Sequence, residues 1–107
     1  MAKEYTDKEF FTEIENSPDT TLVYYWSPGS EPCKMMDPVM GKFESKYHDK
    51  MSFAKINAEQ SPIVSNRYAI ISVPTCILFG NGDILAQAMG YLELSELEEI
   101  FREYIKG

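Results

Sequence analysis

Cysteine is scarce in this chain of 107 residues: there are two, Cys33 and Cys76, and one histidine, His48. Two cysteines cannot build a disulfide framework. With a single histidine they also fall short of the four ligands of a structural zinc site, so no metal and no other cofactor is expected. Basic residues are outnumbered, 10 Lys and Arg against 17 Asp and Glu. The resulting charge of −7 and pI of about 4.6 disfavour nucleic acid or an anionic membrane surface as a partner. Apolar runs are only a few residues long, and Met1 to Tyr5 lacks the hydrophobic stretch of a secretory leader. No membrane span and no signal peptide are therefore expected, and the cytoplasm is the default compartment.

What is present is 44% hydrophobic residues, enough to fill one compact core in a chain too short for two, so residues 1–107 are read as a single domain. Thr6-Asp7-Lys8-Glu9 has the pattern of a capping box, and Phe10, Phe11 and Ile14 supply an apolar face, which predicts a helix over about 7–16. The run Leu22 to Trp26 suits a strand buried on both faces. Pro32 fits a first helical turn, and Met35, Met36, Val39, Met40 and Phe43 recur at helical spacing to about Tyr47, with a kink expected at Pro38. Residues 52–57 read as a second internal strand, and Ser61-Pro62 as the N-cap and first position of a short helix to about Tyr68. Thr75 to Phe79 and Ile84 to Met89 flank an Asn81-Gly82 hairpin turn. Ser95-Glu96-Leu97-Glu98 offers another capping box, for a last helix with Leu97, Ile100, Phe101, Tyr104 and Ile105 on one face. A βαβ unit, a linking helix, a hairpin and a final helix describe an α/β fold: a central mixed sheet flanked by helices on both faces.

Chemistry concentrates where the first strand meets its helix. Trp26-Ser27-Pro28-Gly29-Ser30-Glu31-Pro32-Cys33-Lys34 has the spacing of a redox C-x-x-C loop with serine in the first position. Serine keeps the size of cysteine and removes the chemistry, because the thiolate is the nucleophile and an alcohol does not ionise near neutrality. Trp26 before the S-x-x-C, Pro32 to Met35, Pro38, Phe53 to Asn57 with Glu59, Gln60 and Pro62, Val73-Pro74-Thr75, Asn81-Gly82 and Gly90 occur in order. In these motifs the chain resembles the thioredoxin family over almost its whole length. The family's first strand is short or absent, since only Ala2 to Tyr5 could form it.

The resemblance implies a thioredoxin fold and a protein-disulfide reductase. Such a protein takes electrons from thioredoxin reductase, passes them to disulfides in substrate proteins, and so serves electron transport and cell redox homeostasis, here as a monomer. Ser30 stands at the nucleophile's position, Cys33 at that of the resolving thiol, and Lys55 matches a lysine that assists proton movement. Trp26, Gly29, Glu31, Pro32, Val73, Pro74 and Gly90 fall on the substrate-binding surface. Val73-Pro74 is expected to be cis, and the backbone of Val73 to pair with an extended substrate segment. Two departures stand out: Tyr24 holds the strand position where many relatives carry a buried aspartate, leaving water, Lys55 or Glu31 to take the Cys33 proton, and Gly29 replaces a tryptophan. The Ser30 form is expected to be inactive. An isosteric serine in an otherwise intact loop favours a replacement made to stop turnover over natural loss of activity; the alternative function is a redox-inactive binding module that holds a partner in the same groove.

Other residues have plainer readings. Cys76 reads as a small core hydrophobe, and Met35, Met36 and Met40 as core packing. His48 reads as a solvated residue near a helix C-terminus, and Glu93, Glu96, Glu98, Glu99 and Glu103 as a solvated helix face.

Overall fold

The computed structural model describes residues 3–106; Ala2, the first residue allowed for an initial strand, lies outside them. Five strands form one mixed sheet in the order β1-β3-β2-β4-β5: β1 Lys3–Tyr5, β2 Thr20–Trp26, β3 Ser52–Asn57, β4 Thr75–Gly80 and β5 Asp83–Met89. β3 runs parallel to both β1 and β2, whereas β4 is antiparallel to β2 and β5. The helices are α1 Asp7–Phe10, α2 Glu31–Tyr47, α3 Pro62–Arg67, α4 Leu94–Ile100 and α5 Arg102–Ile105.

β2 is buried on both sides, and its alternation divides the core. Leu22 and Tyr24 pack with Met36, Met40 and Phe43 of α2 and with Leu97, Phe101 and Ile105. Val23 and Tyr25 pack on the opposite face with Phe10, Ile14 and Val64. Helices thus cover both faces, as the apolar run of β2 requires.

Several boundaries differ from the sequence reading. α1 opens on the expected cap, the Glu9 carboxylate accepting from the Thr6 N–H at 3.0 Å and its hydroxyl at 2.8 Å. It then widens into a π-helical turn over Phe11–Glu15, where the Asn16 N–H reaches the Phe11 carbonyl at 3.2 Å. Ser61 does precede α3, yet its hydroxyl makes no cap and is buried without a partner among the described residues. Asp7 does that work from across the fold, accepting from the N–H of Val64 at 2.9 Å and of Ile63 at 3.3 Å. The last helix is capped by Glu93 with Glu96, not by Ser95, and breaks at Phe101 into α4 and α5; Ile100 turns outward. Met35 is likewise exposed, on the outer side of α2 from Met36 and Met40. Pro38 lies inside α2, where the sequence reading also puts it. Among the acidic residues read as a solvated face, Glu98 accepts from Lys46 and from the Tyr47 hydroxyl, tying α4 to α2.

Asn81 and Gly82 both take positive φ, 54° and 82°, at the hairpin turn. Glycine is needed there for a second reason: a Cβ on Gly82 would lie 2.4 Å from the Glu15 carbonyl oxygen. The hairpin tip thus sits against the end of the π-helical turn.

Candidate functional site

β2 delivers Trp26 to one end of the sheet, and the chain crosses Ser27 to Gly29 before α2 begins. Ser30 is the N-cap of α2. Its backbone is extended, and its hydroxyl oxygen accepts from the Cys33 N–H at 3.2 Å. A side-chain oxygen here satisfies one of the orphan donors of a helix start. The atom replacing the expected sulfur therefore holds the helix terminus together.

Cys33 is buried, 2% exposed, on the inner side of the first turn. Glu31 and Pro32 are exposed, and the Glu31 carboxylate faces solvent, paired with Lys34 at 3.3 Å. Lys55 lies on β3 opposite Tyr24, but its ammonium sits 4.8 Å from the centroid of the Trp26 ring. The Trp26 indole N–H donates to Glu4 of β1 at 2.9 Å. The indole is thereby held between a cation over its face and an acid at its edge.

The residue that sequence reasoning missed is Asp37. The Tyr24 hydroxyl is 2.9 Å from its carboxylate and 3.3 Å from the Cys33 carbonyl oxygen, so one buried phenol bridges β2 to α2. Burial first, and then the hydrogen bond to Asp37, hold the Tyr24 phenol well above its ordinary value and keep it protonated. Spacing could have found Asp37: it is four residues beyond Cys33, and positions i and i+4 share a helix face. A carboxylate does face Tyr24 in this fold, supplied by the helix.

The Val73-Pro74 bond is cis. Pro74 is buried at the start of β4, and pairing of Tyr25 with Thr75 brings it to the same end of the sheet as Trp26. Gly90, at φ 83°, donates its N–H to the Pro74 carbonyl at 2.8 Å, and Leu92 follows with an N–H directed at the Met36 sulfur, 3.4 Å away. Pro74, Gly90 and the first turns of α2 thus close on one another. Val73 is half-buried and precedes the β4 ladder, and Gly29 has open space at its Cβ direction. Cys76 is buried beside Met40, its sulfur 3.8 Å from the thioether, and its thiol is pushed up to about 12 by burial and then by Cys33. His48 is exposed just beyond α2. Among the described residues no group of acids, histidines and cysteines could hold a metal, and no helix is long and apolar enough to cross a membrane.

A family model described as Thioredoxin matches residues 1–103. The chain is 34% identical over 102 residues to a thioredoxin of Buchnera aphidicola subsp. Acyrthosiphon pisum, covering 95% of this chain and 94% of that one. It is 36% identical over 92 residues to a thioredoxin of Allochromatium vinosum, 86% of each chain. It is 33% identical over 100 residues to the chloroplastic thioredoxin M4 of Arabidopsis thaliana, covering 94% of this chain and 52% of the longer plant protein.

Proposed function

The chain belongs to the thioredoxin family, and from that premise we propose that its loop and groove are those of a protein-disulfide reductase halted at Ser30. The observation that carries this reading is the placement of Ser30 as N-cap with Cys33 buried one turn inside. A thiol at position 30 would meet the free N–H groups and dipole of α2, the setting that favours thiolate. The dipole supplies roughly 0.3–1 kcal/mol at an exposed site, so direct hydrogen bonds such as the one from the Cys33 N–H must supply most of any larger effect.

In the complete reaction the sulfur at 30 attacks a partner's disulfide and forms a mixed disulfide. Cys33 then attacks that bond, forms the 30–33 disulfide and releases the partner as a dithiol; a reductase of the thioredoxin reductase type returns the pair to thiols. Ser30 leaves the first bond unmade and Cys33 with nothing to resolve. Pro74, Val73 and Gly90 form the side of the groove where an extended substrate would add its backbone, with Trp26, Gly29, Glu31 and Pro32 on the other side. Lys55 is the register partner of Tyr24 on β3 and Asp37 accepts from the Tyr24 hydroxyl, and Asp37 takes the place in this reading of the acid missing from β2. A monomer in the cytoplasm, with Cys33 and Cys76 free, suits this role.

A second reading, a binding module that holds a protein partner without chemistry, is favoured by the use of the Ser30 hydroxyl as a cap in an intact loop. Insulin reduction driven by a small dithiol separates the two. Turnover by Ser30→Cys and none by the Ser30 protein supports the reductase. A Ser30→Cys protein that forms no 30–33 disulfide overturns it and leaves the binding module.

A further inference from the structure

β1 is three residues long, yet one of them reaches the start of the Ser30 loop. Glu4 pairs in register with Lys55 on β3, and Lys55 with Tyr24 on β2, so the three side chains stand in one row on one face of the sheet. Trp26, two residues beyond Tyr24, leaves the sheet on the same face and diagonal to Lys55, within reach of a long side chain. The row closes on the indole. The Lys55 ammonium is 4.8 Å from the ring centroid, and the Trp26 Nε1–H donates to the Glu4 carboxylate at 2.9 Å. The Tyr24 hydroxyl takes its contacts from α2 instead, at Asp37 and the Cys33 carbonyl. Lys55 thus directs its charge to the ring that ends β2, where the chain turns toward Ser30.

We propose that Glu4 and Lys55 are positioning residues of the groove, acting through Trp26, and that Lys55 moves no proton. The role in docking rests on the disulfide-reductase reading. A cation over the face fixes the plane of the ring, and the hydrogen bond at its edge fixes its rotation within that plane. The half-buried indole then stands as a ready wall beside the Ser30 loop, so that a substrate segment need not order it on binding. A group that moves a proton must come within hydrogen-bond reach of it, and the Lys55 ammonium makes no hydrogen bond to Cys33 but lies over the ring.

Trp26 is the single tryptophan of the chain, so one indole N–H resonance of the 15N-labelled protein reports the arrangement. In the protein as it stands, Glu4→Leu should move that resonance and speed its exchange with solvent by about fivefold, while Glu4→Gln keeps an acceptor and should hold it near its original position. Lys55→Met should also move it, and Lys55→Arg, which keeps a cation over the ring, should restore it. In the Ser30→Cys form, insulin reduction should show KM raised by about two- to fivefold in both Glu4→Leu and Lys55→Met, the factor that loss of a cation–π contact near solvent allows. The pH profile of kcat should keep its midpoint in Lys55→Met. A Ser30→Cys protein that reduces nothing overturns the reductase reading and the docking role with it; the indole resonance, read without turnover, decides the arrangement around Trp26 by itself. An unmoved indole resonance in Glu4→Leu, an unmoved KM in both variants, or a kcat profile whose midpoint shifts in Lys55→Met overturns the proposal.

Discussion

The hydroxyl of Tyr24, on the central strand, donates to the carboxylate of Asp37, one helical turn beyond Cys33, at 2.9 Å. The first turns of α2 are therefore fastened to β2 by a polar contact as well as by Met36 and Met40 in the core. Tyr24→Phe should destabilise the fold by about 1.5 kcal/mol, the low end of the range for a hydrogen bond to a charged group, since the bond is only part-buried. Urea unfolding checks this. In the Tyr24→Phe background, Asp37→Asn should add almost nothing, since contacting residues couple; full additivity would show that the pair does not act as a unit.

Ser30→Ala should cost about 1 kcal/mol through loss of the cap on α2. The comparison that isolates the cap is Ser30→Asp, which restores an acceptor and should recover most of the loss. Thermal unfolding of the three proteins side by side measures it, and an unchanged midpoint in Ser30→Ala would show that the hydroxyl contributes nothing.

Both thiols should resist alkylation in the native state. Cys33 and Cys76 are 2% and 1% exposed, and Cys76 is further protected because its thiol is pushed up to about 12. Iodoacetamide at neutral pH should label each at least roughly a hundredfold more slowly than a free small thiol, with rates that follow opening of the fold. Mass spectrometry of partly labelled protein identifies which thiol reacts. Native labelling of Cys33 at the rate of a small thiol would contradict its placement.

Stability should fall on the alkaline side. Burial, aided by Asp37 at Tyr24 and by Tyr68 at Tyr25, holds both phenols well above their ordinary value of 10.0. The unfolded chain loses these protons near that value while the folded chain keeps them. Their contribution is thus complete below about pH 10 and declines as pH rises above it, by up to about 1.4 kcal/mol per unit for each tyrosine. Urea midpoints measured upward from pH 8 should bend downward near 10, and Tyr24→Phe should flatten the bend.

How much of this was legible beforehand depended on the range of each signal. The strand Ser52–Asn57, the turn at Asn81-Gly82 and the start of α2 rest on neighbours in the chain, and all lie where the residues predict. The serine in the loop was legible as a lost nucleophile; its duty as a helix cap follows from the same position and needed the backbone geometry to be seen. The role of Asp37 is not legible from local pattern, because its partner, Tyr24, is 13 residues away on another element. The cap of the last helix was misplaced because Glu93 uses a longer side chain for work usually done by Ser or Thr, while Ser95 supplied the more familiar pattern. Periodicity alone places Met35 in the core, because it cannot separate adjacent positions at the edge of an apolar stripe.

The cap that Asp7 places on α3 has a consequence for the order of assembly. α3 has six residues, too few to persist alone in water, and its starting acceptor lies 56 and 57 positions earlier in the chain. Before α1 docks, the N–H groups of Ile63 and Val64 at the start of this segment lack the acceptor that Asp7 supplies. The helix is therefore held in part by closure across half the chain, and the approach to Pro74, which α3 leads into, depends on that closure. One carboxylate near the beginning of the chain thereby helps anchor the groove wall at its far side.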